Sequence, residues 1–553
     1  MGLSRDDLVM RAGLVVLAGL LLLIVGLPLW ALLAKGFEDG DGRYVGLANY
    51  VSYFSTPAMF NSALNSFHVA AVSTAIVVPV AFLYAYALTR AVLPARWLFQ
   101  GISLIPIFAP SLLPGLALVY LFGNQGFFKV LLGGSSIYGF DGIVIAQVFY
   151  CFPHATMILV TALATADARL YEAADALGAS KLRVFFTVTL PGAKYGLISA
   201  ALVVFTLVIT DFGIAKVIGG NFNVLATDVY KQVIGQQNFS MGAVVGMVLL
   251  APAALAFVID RMVQRKQVAL LTSRAVPLIP RPKAGRDLFF TVFCSIIAAG
   301  ILAILGMAIW GSLIKYWPYN LSLTLGNYYF ANFDANGWDS YFNSLRMAAG
   351  AAIVGTAVMF VGAWLNEKTR GFGIVRGVVQ LLAFLPMAVP GIVLGLGYIF
   401  FFNAPDNPLN FLYATMAILV INTVAHFYTV GHLTATTALK QIDPEFESVS
   451  ASLKVPVWKT FGRVTAPICL PAILDIAIYL FVNAMTTVSS VIFLYASDTK
   501  LASVAAVNIE ETGATAAAAA LCVVIVITSA IVKTLHLLAD RFLLGRLQAW
   551  RRR

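Results

Sequence analysis

Twelve apolar runs, each long enough to cross a lipid bilayer, divide this sequence of 553 residues. Because the hydrocarbon core of a bilayer is crossed by about 20 residues of α-helix, each run predicts one membrane-spanning helix. We therefore expect an all-α polytopic membrane protein with about 12 transmembrane helices. The runs lie at residues 12–34, 62–88, 98–122, 142–165, 197–218, 241–260, 288–314, 341–365, 377–402, 412–438, 471–494 and 513–538.

The composition excludes the soluble classes of protein. Only 11 % of the residues are charged and 60 % are hydrophobic, whereas soluble domains carry about 25 % charged residues. A soluble enzyme, a disordered protein and a nucleic-acid-binding domain are therefore excluded, despite the net charge of +11. The four cysteines lie in or beside apolar runs without CxxC spacing, so the sequence indicates neither a disulfide framework nor a metal site.

Lysine and arginine are shared unevenly between the two sides of the predicted helices. If the N-terminus lies inside, 27 of the 36 basic residues fall in inside segments and only six in outside loops. Basic loops resist translocation across a membrane, so we expect both termini to be cytoplasmic. The surplus of positive charge then lies beside anionic lipids, so it predicts membrane lipids as partners.

The second half of the sequence repeats the first. Six predicted spans, an even number, separate one copy from the next, so the repeats are parallel rather than inverted. We expect two six-helix repeats, at residues 1–262 and 288–553, joined by a cytoplasmic linker at 263–287. The matching segments are offset by 276 to 280 residues: Leu47-Ala-Asn-Tyr50 and Leu325-Gly-Asn-Tyr328, Asn65-Ser66 and Asn343-Ser344, Thr89-Arg90 and Thr369-Arg370, Pro106 with Pro110 and Pro386 with Pro390, and Asp167, Leu177 and Pro191 with Asp443, Leu453 and Pro467.

The predicted cytoplasmic loop between the fourth and fifth spans is unusually long in both repeats. In the first repeat Asp167 is suited to cap a helix that Gly178 can end with a positive φ. In the second repeat Asp443, followed by Pro444, favours a helix start. Each predicted helix carries an exposed apolar face, which indicates a partner protein. The alternative is an interfacial helix that lies on lipid.

The first of these loops resembles a known motif. Glu172, Ala173 and Ala174, followed by Gly178 and by Leu190-Pro191, resemble the EAA loop of permeases of binding-protein-dependent ABC importers. The resemblance covers essentially the whole chain and implies the type I ABC importer transmembrane fold. It also implies that the loops are coupling helices for two copies of a separate cytoplasmic ATPase. A periplasmic binding protein would deliver the solute, in a bacterial inner membrane.

The same resemblance implies that this chain is a transport subunit and not an enzyme. No Walker lysine motif and no nucleophile–base pair occur in the sequence, so we expect the partner ATPase to use ATP and Mg and this chain to bind no cofactor. The first rival is a secondary transporter, which would not need paired EAA-type loops. The second rival, a membrane-embedded enzyme, would need clustered His, Asp or Glu.

The second loop departs from the motif. Alignment from Pro467 places Ser448 opposite Glu172 and Lys454 opposite Gly178, while Glu447 is displaced by one residue. A positive φ at Lys454 would cost about 1 kcal/mol, so we expect Pro456 to set this turn instead. We therefore expect the first loop, with Glu172 and Gly178, to be more sensitive to substitution than the second. The residues that the resemblance assigns to the coupling loops are Asp167, Glu172, Ala173, Ala174, Gly178, Asp443, Glu447, Ser448 and Lys454.

Polar residues inside the fifth spans are the candidates for the translocation pathway, because ionisable groups at membrane depth are often functional. Asp211 lies within the fifth run, and Thr487 lies opposite it at the 276-residue offset. In the importers that this chain resembles the fifth spans line the pathway, which implies a lining of Thr210, Asp211, Asn483, Thr486 and Thr487. The alternative is that Asp211 is an interior carboxylate, paired to Lys216 or to a helix terminus.

Fused permeases of this length resemble the systems for ferric iron, thiamine and 2-aminoethylphosphonate. The stretch VFTLVITDFGIAKVIGG, followed by NVLATDVYKQVIGQQNF, resembles most the 2-aminoethylphosphonate permeases. The resemblance therefore implies this solute first, with ferric iron or thiamine as alternatives.

Overall fold

The computed structural model describes residues 5–270, 276, 278–369 and 371–541. Parts of the predicted linker, both chain ends and Arg370 of the repeated Thr369-Arg370 pair lie outside the described residues. The predicted all-α class is confirmed, because the described strands are limited to one antiparallel hairpin, β1 (Ile314–Tyr316) and β2 (Asn320–Leu323).

The helices follow the twofold repetition of the sequence. Those of the first half are α1 (Arg5–Leu21), α2 (Leu27–Lys35), α3 (Ala48–Ser55), α4 (Pro57–Arg90), α5 (Arg96–Leu104), α6 (Leu112–Phe122), α7 (Phe140–Ala164), α8 (Ala168–Ala176), α9 (Lys181–Val184), α10 (Leu190–Thr210), α11 (Gly213–Ile218), α12 (Leu225–Tyr230) and α13 (Phe239–Leu270). Those of the second half are α14 (Ala284–Leu313), α15 (Asp339–Gly350), α16 (Thr356–Lys368), α17 (Gly373–Phe384), α18 (Gly391–Phe402), α19 (Met416–Lys440), α20 (Glu445–Ser452), α21 (Val457–Thr460), α22 (Ala466–Ile468), α23 (Leu470–Thr486), α24 (Ala502–Glu511) and α25 (Thr515–Ala539).

Nine helices among the described residues are long and apolar enough to cross a membrane, or up to twelve if each of three bent pairs is one span. The upper figure equals the number of predicted runs. Two of the bends are equivalent in the two repeats: Arg96–Phe108 meets Leu112–Phe122 at 101°, and Gly373–Ala388 meets Gly391–Phe402 at 118°. They occur at the repeated proline pairs, since a proline interrupts the helical hydrogen-bond ladder.

The described residues form two compact units that do not follow chain order. One unit is drawn from Met1–Asn49, Tyr329–Ile509 and Val524–Arg553, and the other from Tyr50–Tyr328 and Glu510–Val523. The first span therefore packs within the unit built mainly from the second repeat. The boundaries at 262 and 288 describe the repetition in sequence and stay a prediction.

Each unit has its own apolar core with a few buried hydroxyl groups. In one unit Tyr398 is fully buried and donates to the Ile24 carbonyl at 2.7 Å, which ties α18 to the first span. In the other unit Tyr84 is fully buried and donates to the Phe99 carbonyl at 2.8 Å. A buried hydroxyl needs such a partner, so these bonds fix how neighbouring helices pack.

The repeated polar residues make the same hydrogen bonds in both units. Ser66 accepts from the Leu225 amide at 2.7 Å, and Ser344 accepts from the Ala502 amide at 2.8 Å. In each case a serine near the start of the second span supplies an acceptor to the first residue of the helix after the fifth span, α12 or α24. The repetition therefore extends from the sequence to individual backbone contacts.

Candidate functional site

Both loops between the fourth and fifth spans begin with an aspartate cap. In the first loop (residues 167–191) the Asp167 carboxylate accepts from the Arg169 amide at 3.1 Å, as an N-cap does. Hydrogen bonds from the Arg169 side chain and amide hold the pKa of the Asp167 carboxyl below its usual value. In the second loop (residues 443–467) the Asp443 carboxylate accepts from the Glu445 amide at 2.9 Å. Each aspartate thus stands where the sequence predicted a helix start.

Gly178 ends α8 with a φ of +68°. The amides of Gly178 and Ala179 return to the carbonyls of Asp175 and Ala174, both at 3.0 Å, and close the C-terminus of the helix. A Cβ atom on Gly178 would meet nothing within 4 Å. The position therefore requires a backbone conformation and not a small side chain.

The second loop ends its helix in the same way. The amides of Lys454 and Val455 return to the carbonyls of Ala451 and Ser450, at 3.1 and 3.0 Å. Lys454 adopts a φ of +52°, although a side chain there costs about 1 kcal/mol. The expectation that Pro456 sets this turn is wrong, because the two amide bonds that end α20 outweigh the local cost at Lys454. Pro456 instead precedes α21.

The acidic residues of the two loops point in different directions. Glu447 is half-buried and forms an ion pair with Lys368 at the end of α16. Glu447 precedes Ser448, the residue that aligns with Glu172, and one residue along a helix turns the side chain by about 100°. Ser448 itself is exposed. In the first loop the motif residues lie on the surface of α8, with Ala174 half-buried: Glu172, Ala173 and Ala174.

Each loop presents large apolar side chains to solvent. In the second loop three of them, Phe446, Val449 and Leu453, line a groove of about 540 Å³ that reaches from Asp443 to Val464. Soluble surfaces seldom expose such clusters without a binding partner. The exposed fractions are 59 % for Leu170, 86 % for Leu177, 73 % for Leu182 and 61 % for Phe186, and 45 % for Phe446, 57 % for Val449, 71 % for Leu453 and 50 % for Trp458.

The first loop is anchored to the membrane helices through an arginine. Arg90, which is buried at the end of α4, donates to the Leu163 carbonyl at 2.8 Å. Its guanidinium lies 5.3 Å from the centre of the Tyr171 ring. The Tyr171 hydroxyl in turn donates to Thr189 at 3.1 Å. α8 is therefore linked at one point to both the fourth and the fifth spans.

We expect Lys454→Gly to stabilise the second loop and to leave transport unchanged. Glycine removes a cost of about 1 kcal/mol at the positive φ of Lys454. The matched control is Lys459→Gly, within α21, where glycine should destabilise by about 1 kcal/mol. Limited proteolysis of the loop measures both effects. Faster cleavage of Lys454→Gly would contradict the assignment of strain to this residue.

The predicted pathway residues lie at equivalent ends of the fifth spans. α10 ends at Thr210 and α23 at Thr486, and the next residue in each, Asp211 or Thr487, is extended. Thr487 is buried and lies 3.0 Å from the Ser490 hydroxyl. Three half-buried side chains return to a carbonyl one turn earlier, at 2.8, 3.1 and 2.8 Å: Thr210, Thr486 and Asn483. Their role as a lining stays a prediction.

Asp211 holds a break between two helices. Its Oδ2 accepts from the Ile214 amide at 2.9 Å, near the start of α11, and from the Gln147 side chain at 3.1 Å. Lys216 pairs instead with Glu511. The two partners predicted for an interior Asp211 carboxylate were Lys216 and a helix terminus, and the structure contains the helix terminus. Among the described residues, no three His, Cys, Asp or Glu side chains are grouped so that they could hold a metal ion.

Sequence reasoning missed two contacts of these sites. The Gln147 side chain was an available signal, because it is a lone amide in the apolar α7. Val276, in the predicted linker, accepts from the Ala168 amide at 2.9 Å and donates to Asp167 at 3.4 Å. No local pattern marks Val276, since the contact joins segments more than 100 residues apart.

An all-helical membrane protein, in which two parallel repeats each carry a capped helix-turn-helix loop before the fifth span, belongs to the class of transport permeases. The model of the family described as "Binding-protein-dependent transport system inner membrane component" matches residues 77–268 and again residues 358–542. The two matches cover more than half of the chain, one in each repeat. The chain belongs to this family.

Two relatives are similar along most of this chain, and both are named as permease proteins. The putative ferric transport system permease protein FbpB 1 of Haemophilus influenzae is 29 % identical over 521 residues, which are 90 % of this chain and 80 % of that protein. The ferric transport system permease protein FbpB of Actinobacillus pleuropneumoniae is 29 % identical over 455 residues, 79 % of this chain and 65 % of that protein. A crystal structure of a bacterial ABC transporter involved in the import of alginate aligns with 48 % of this chain and 98 % of its own, at 16 % identity and a TM-score of 0.39.

Proposed function

We propose that this chain is the membrane-spanning permease of an ATP-driven importer, in which each loop docks one copy of a separate cytoplasmic ATPase. The observation that carries the proposal is the pair of loops. They have the same backbone hydrogen bonds at positions 276 residues apart, and both expose apolar side chains. A secondary transporter has no need of two such docking faces. The family description, a binding-protein-dependent inner membrane component, supports a bacterial inner membrane and a periplasmic binding protein as partner.

The connection between loop and span supports a mechanical role. In the first repeat α9 runs through a π-helical turn into α10, so that Lys181–Thr210 is one continuous span. Movement of the docked loop would reach Asp211 without an intervening hinge. In the second repeat Val457–Ile468 and Leu470–Thr486 are bent by 74°. We propose that ATP-driven closure of the ATPases rocks the repeats between inward-open and outward-open states, with the fifth spans lining the pathway.

We propose ferric iron as the solute. The support is that two relatives similar along most of this chain are named as ferric transport permeases. The prediction of 2-aminoethylphosphonate rested on the stretch VFTLVITDFGIAKVIGG and the following NVLATDVYKQVIGQQNF, and the comparisons give it no support. We further propose that both termini face the cytoplasm, which places the coupling loops on the ATPase side.

Uptake in cells that lack their own ferric transport tests this proposal. Cells that express the permease with its ATPase and binding protein should accumulate radiolabelled ferric iron, and should not when the ATPase cannot hydrolyse ATP. Uptake of labelled 2-aminoethylphosphonate, measured in parallel, should stay at background. Uptake of the phosphonate alone would contradict ferric iron and make 2-aminoethylphosphonate the solute. Iron uptake that survives ATPase inactivation and follows an ion gradient would favour a secondary transporter.

A further inference from the structure

The second loop holds its short helix α21 without the local cap that the first loop has. In the first loop Ser180 precedes α9, and its hydroxyl accepts from the Arg183 amide at 3.3 Å. The residue 276 positions later is Pro456, which precedes α21 and has no side-chain acceptor. The first amides of a helix have no partner within the helix. In α21 the Lys459 amide, which is equivalent to that of Arg183, bonds the Pro456 carbonyl at 3.0 Å, and the Val457 amide takes its acceptor from outside the loop.

That acceptor comes from the first helix of the chain. Oδ2 of Asp6 accepts from the amide of Val457, the first residue of α21, at 3.1 Å. The two residues are 451 positions apart, yet both belong to the same compact unit. Ser180 accepts from the third residue of α9, whereas Asp6 accepts from the first residue of α21.

Beside this contact, α1 packs against neighbouring helices of its unit. Leu14 is fully buried, and a Cβ on Gly13 would come within 3.1 Å of Leu365 in α16. The Arg11 guanidinium lies 5.6 Å from the centre of the Phe372 ring, just before α17. A helix held at several points can position a loop through one hydrogen bond, because the acceptor is already fixed before the bond forms.

The space between α1 and the second loop is a cleft of about 250 Å³. Asp6, Trp364 and Val457 line it, and the ion pair between Lys368 and Glu447 lies in its wall. The loop therefore has two polar ties to its own unit: one from α1 to α21 and one from α16 to α20. Glu172 of the first loop is exposed, whereas Glu447 is tied to α16 by Lys368, so the two loops are held differently.

We infer that α1 is a brace for the second loop and that Asp6 is a positioning residue, which caps the first amide of α21, a helix that has no side-chain cap of its own. α21 belongs to the segment Val457–Ile468, which meets Leu470–Thr486 of the fifth span at a bend of 74°. The brace therefore sets the direction of the segment between the docking face and that bend. The effect on ATPase coupling rests on the proposed function. The capping contact does not, and it can be measured on the permease alone.

Hydrogen exchange of the intact permease in lipid nanodiscs tests the cap. Asp6→Ala should speed exchange of the Val457 amide about fivefold, the loss of one N-terminal cap. Asp6→Asn keeps an acceptor oxygen and should exchange like the unmodified protein. Ser180→Ala is the matched control, since it should speed exchange in α9 and leave α21 unchanged. Equal exchange in Asp6→Ala and the unmodified protein overturns the inference, and so does an Asp6→Asn variant that behaves like Asp6→Ala.

A second substitution tests the positioning role. Asp6→Ala should lower solute-stimulated ATP hydrolysis of the permease–ATPase complex about fivefold. Adding Pro456→Ser should restore it, because a serine hydroxyl there stabilises the start of α21 through its third amide, as Ser180 does in α9. A general loss of structure would not be rescued by a hydroxyl at position 456. If exchange responds as expected and hydrolysis does not, the positioning role is wrong. If the unmodified permease binds no ATPase, the proposed function fails instead, and the exchange result still decides the cap.

Discussion

Replacing Gly178 by valine is expected to lower solute-stimulated ATP hydrolysis about tenfold while the permease still inserts into the membrane. Gly178 has a φ of +68°, and the left-handed conformation costs an L-residue about 1–2 kcal/mol, with a β-branched side chain the least tolerated. A cost of about 1.5 kcal/mol lowers the population of the native turn about tenfold. Hydrolysis in reconstituted permease–ATPase complexes measures the effect, and co-purification of the ATPase reports docking directly.

The matched control is Gly178→Asn. Asparagine tolerates the left-handed conformation, and a Cβ at this position meets nothing within 4 Å, so this variant should retain most of the activity. Equal activity of the valine and asparagine variants would refute the backbone requirement. If Gly178→Val keeps ATPase binding and transport while Lys454→Gly loses both, the second loop dominates and the roles of the two loops are reversed.

Replacing Asp211 by alanine is expected to cost both stability and transport. The carboxylate accepts from the Ile214 amide and the Gln147 side chain. A buried donor left without a partner costs about 1–3 kcal/mol, so the loss of both bonds should cost about 2–6 kcal/mol in total. Thermal unfolding in detergent measures the stability, and solute uptake measures transport.

Thr487→Val is the matched control for Asp211→Ala. Thr487 occupies the equivalent position but has a single side-chain contact at 3.0 Å, to Ser490, so its loss should cost only about 1 kcal/mol. An Asp211→Ala protein as stable as the unmodified one would contradict the role of Asp211 at the helix break. An Asp211→Asn protein that folds normally and loses transport would show that the charge acts on the solute, as the pathway prediction requires.

The sequence predicts the membrane helices well because each depends on its own composition. An apolar run needs no distant partner to form a span, and the repeated prolines mark the breaks in the third spans because proline acts on its own helix. The repeated pair Asn65-Ser66 and Asn343-Ser344 also has a structural meaning. Both copies supply a serine acceptor to a helix after the fifth span, so repetition of a polar pair was a signal of a repeated contact.

The details of the second loop could not be predicted locally. The penalty for a positive φ at Lys454 is real, but the amide bonds that end α20 lie in the same turn and outweigh it. The cap on α21 comes from Asp6, 451 positions away, and no pattern within a single sequence pairs such residues. Tertiary contacts therefore decide how the degenerate copy of the motif is held.

The stoichiometry of the purified permease–ATPase complex tests the central claim most directly. Native mass spectrometry should give two ATPase subunits for each permease chain, one for each loop, and Gly178→Val should reduce the complex to one bound ATPase subunit. A complex that contains no ATPase, or one whose ATPase content does not change when either loop is altered, would contradict the assignment of the two loops as docking sites.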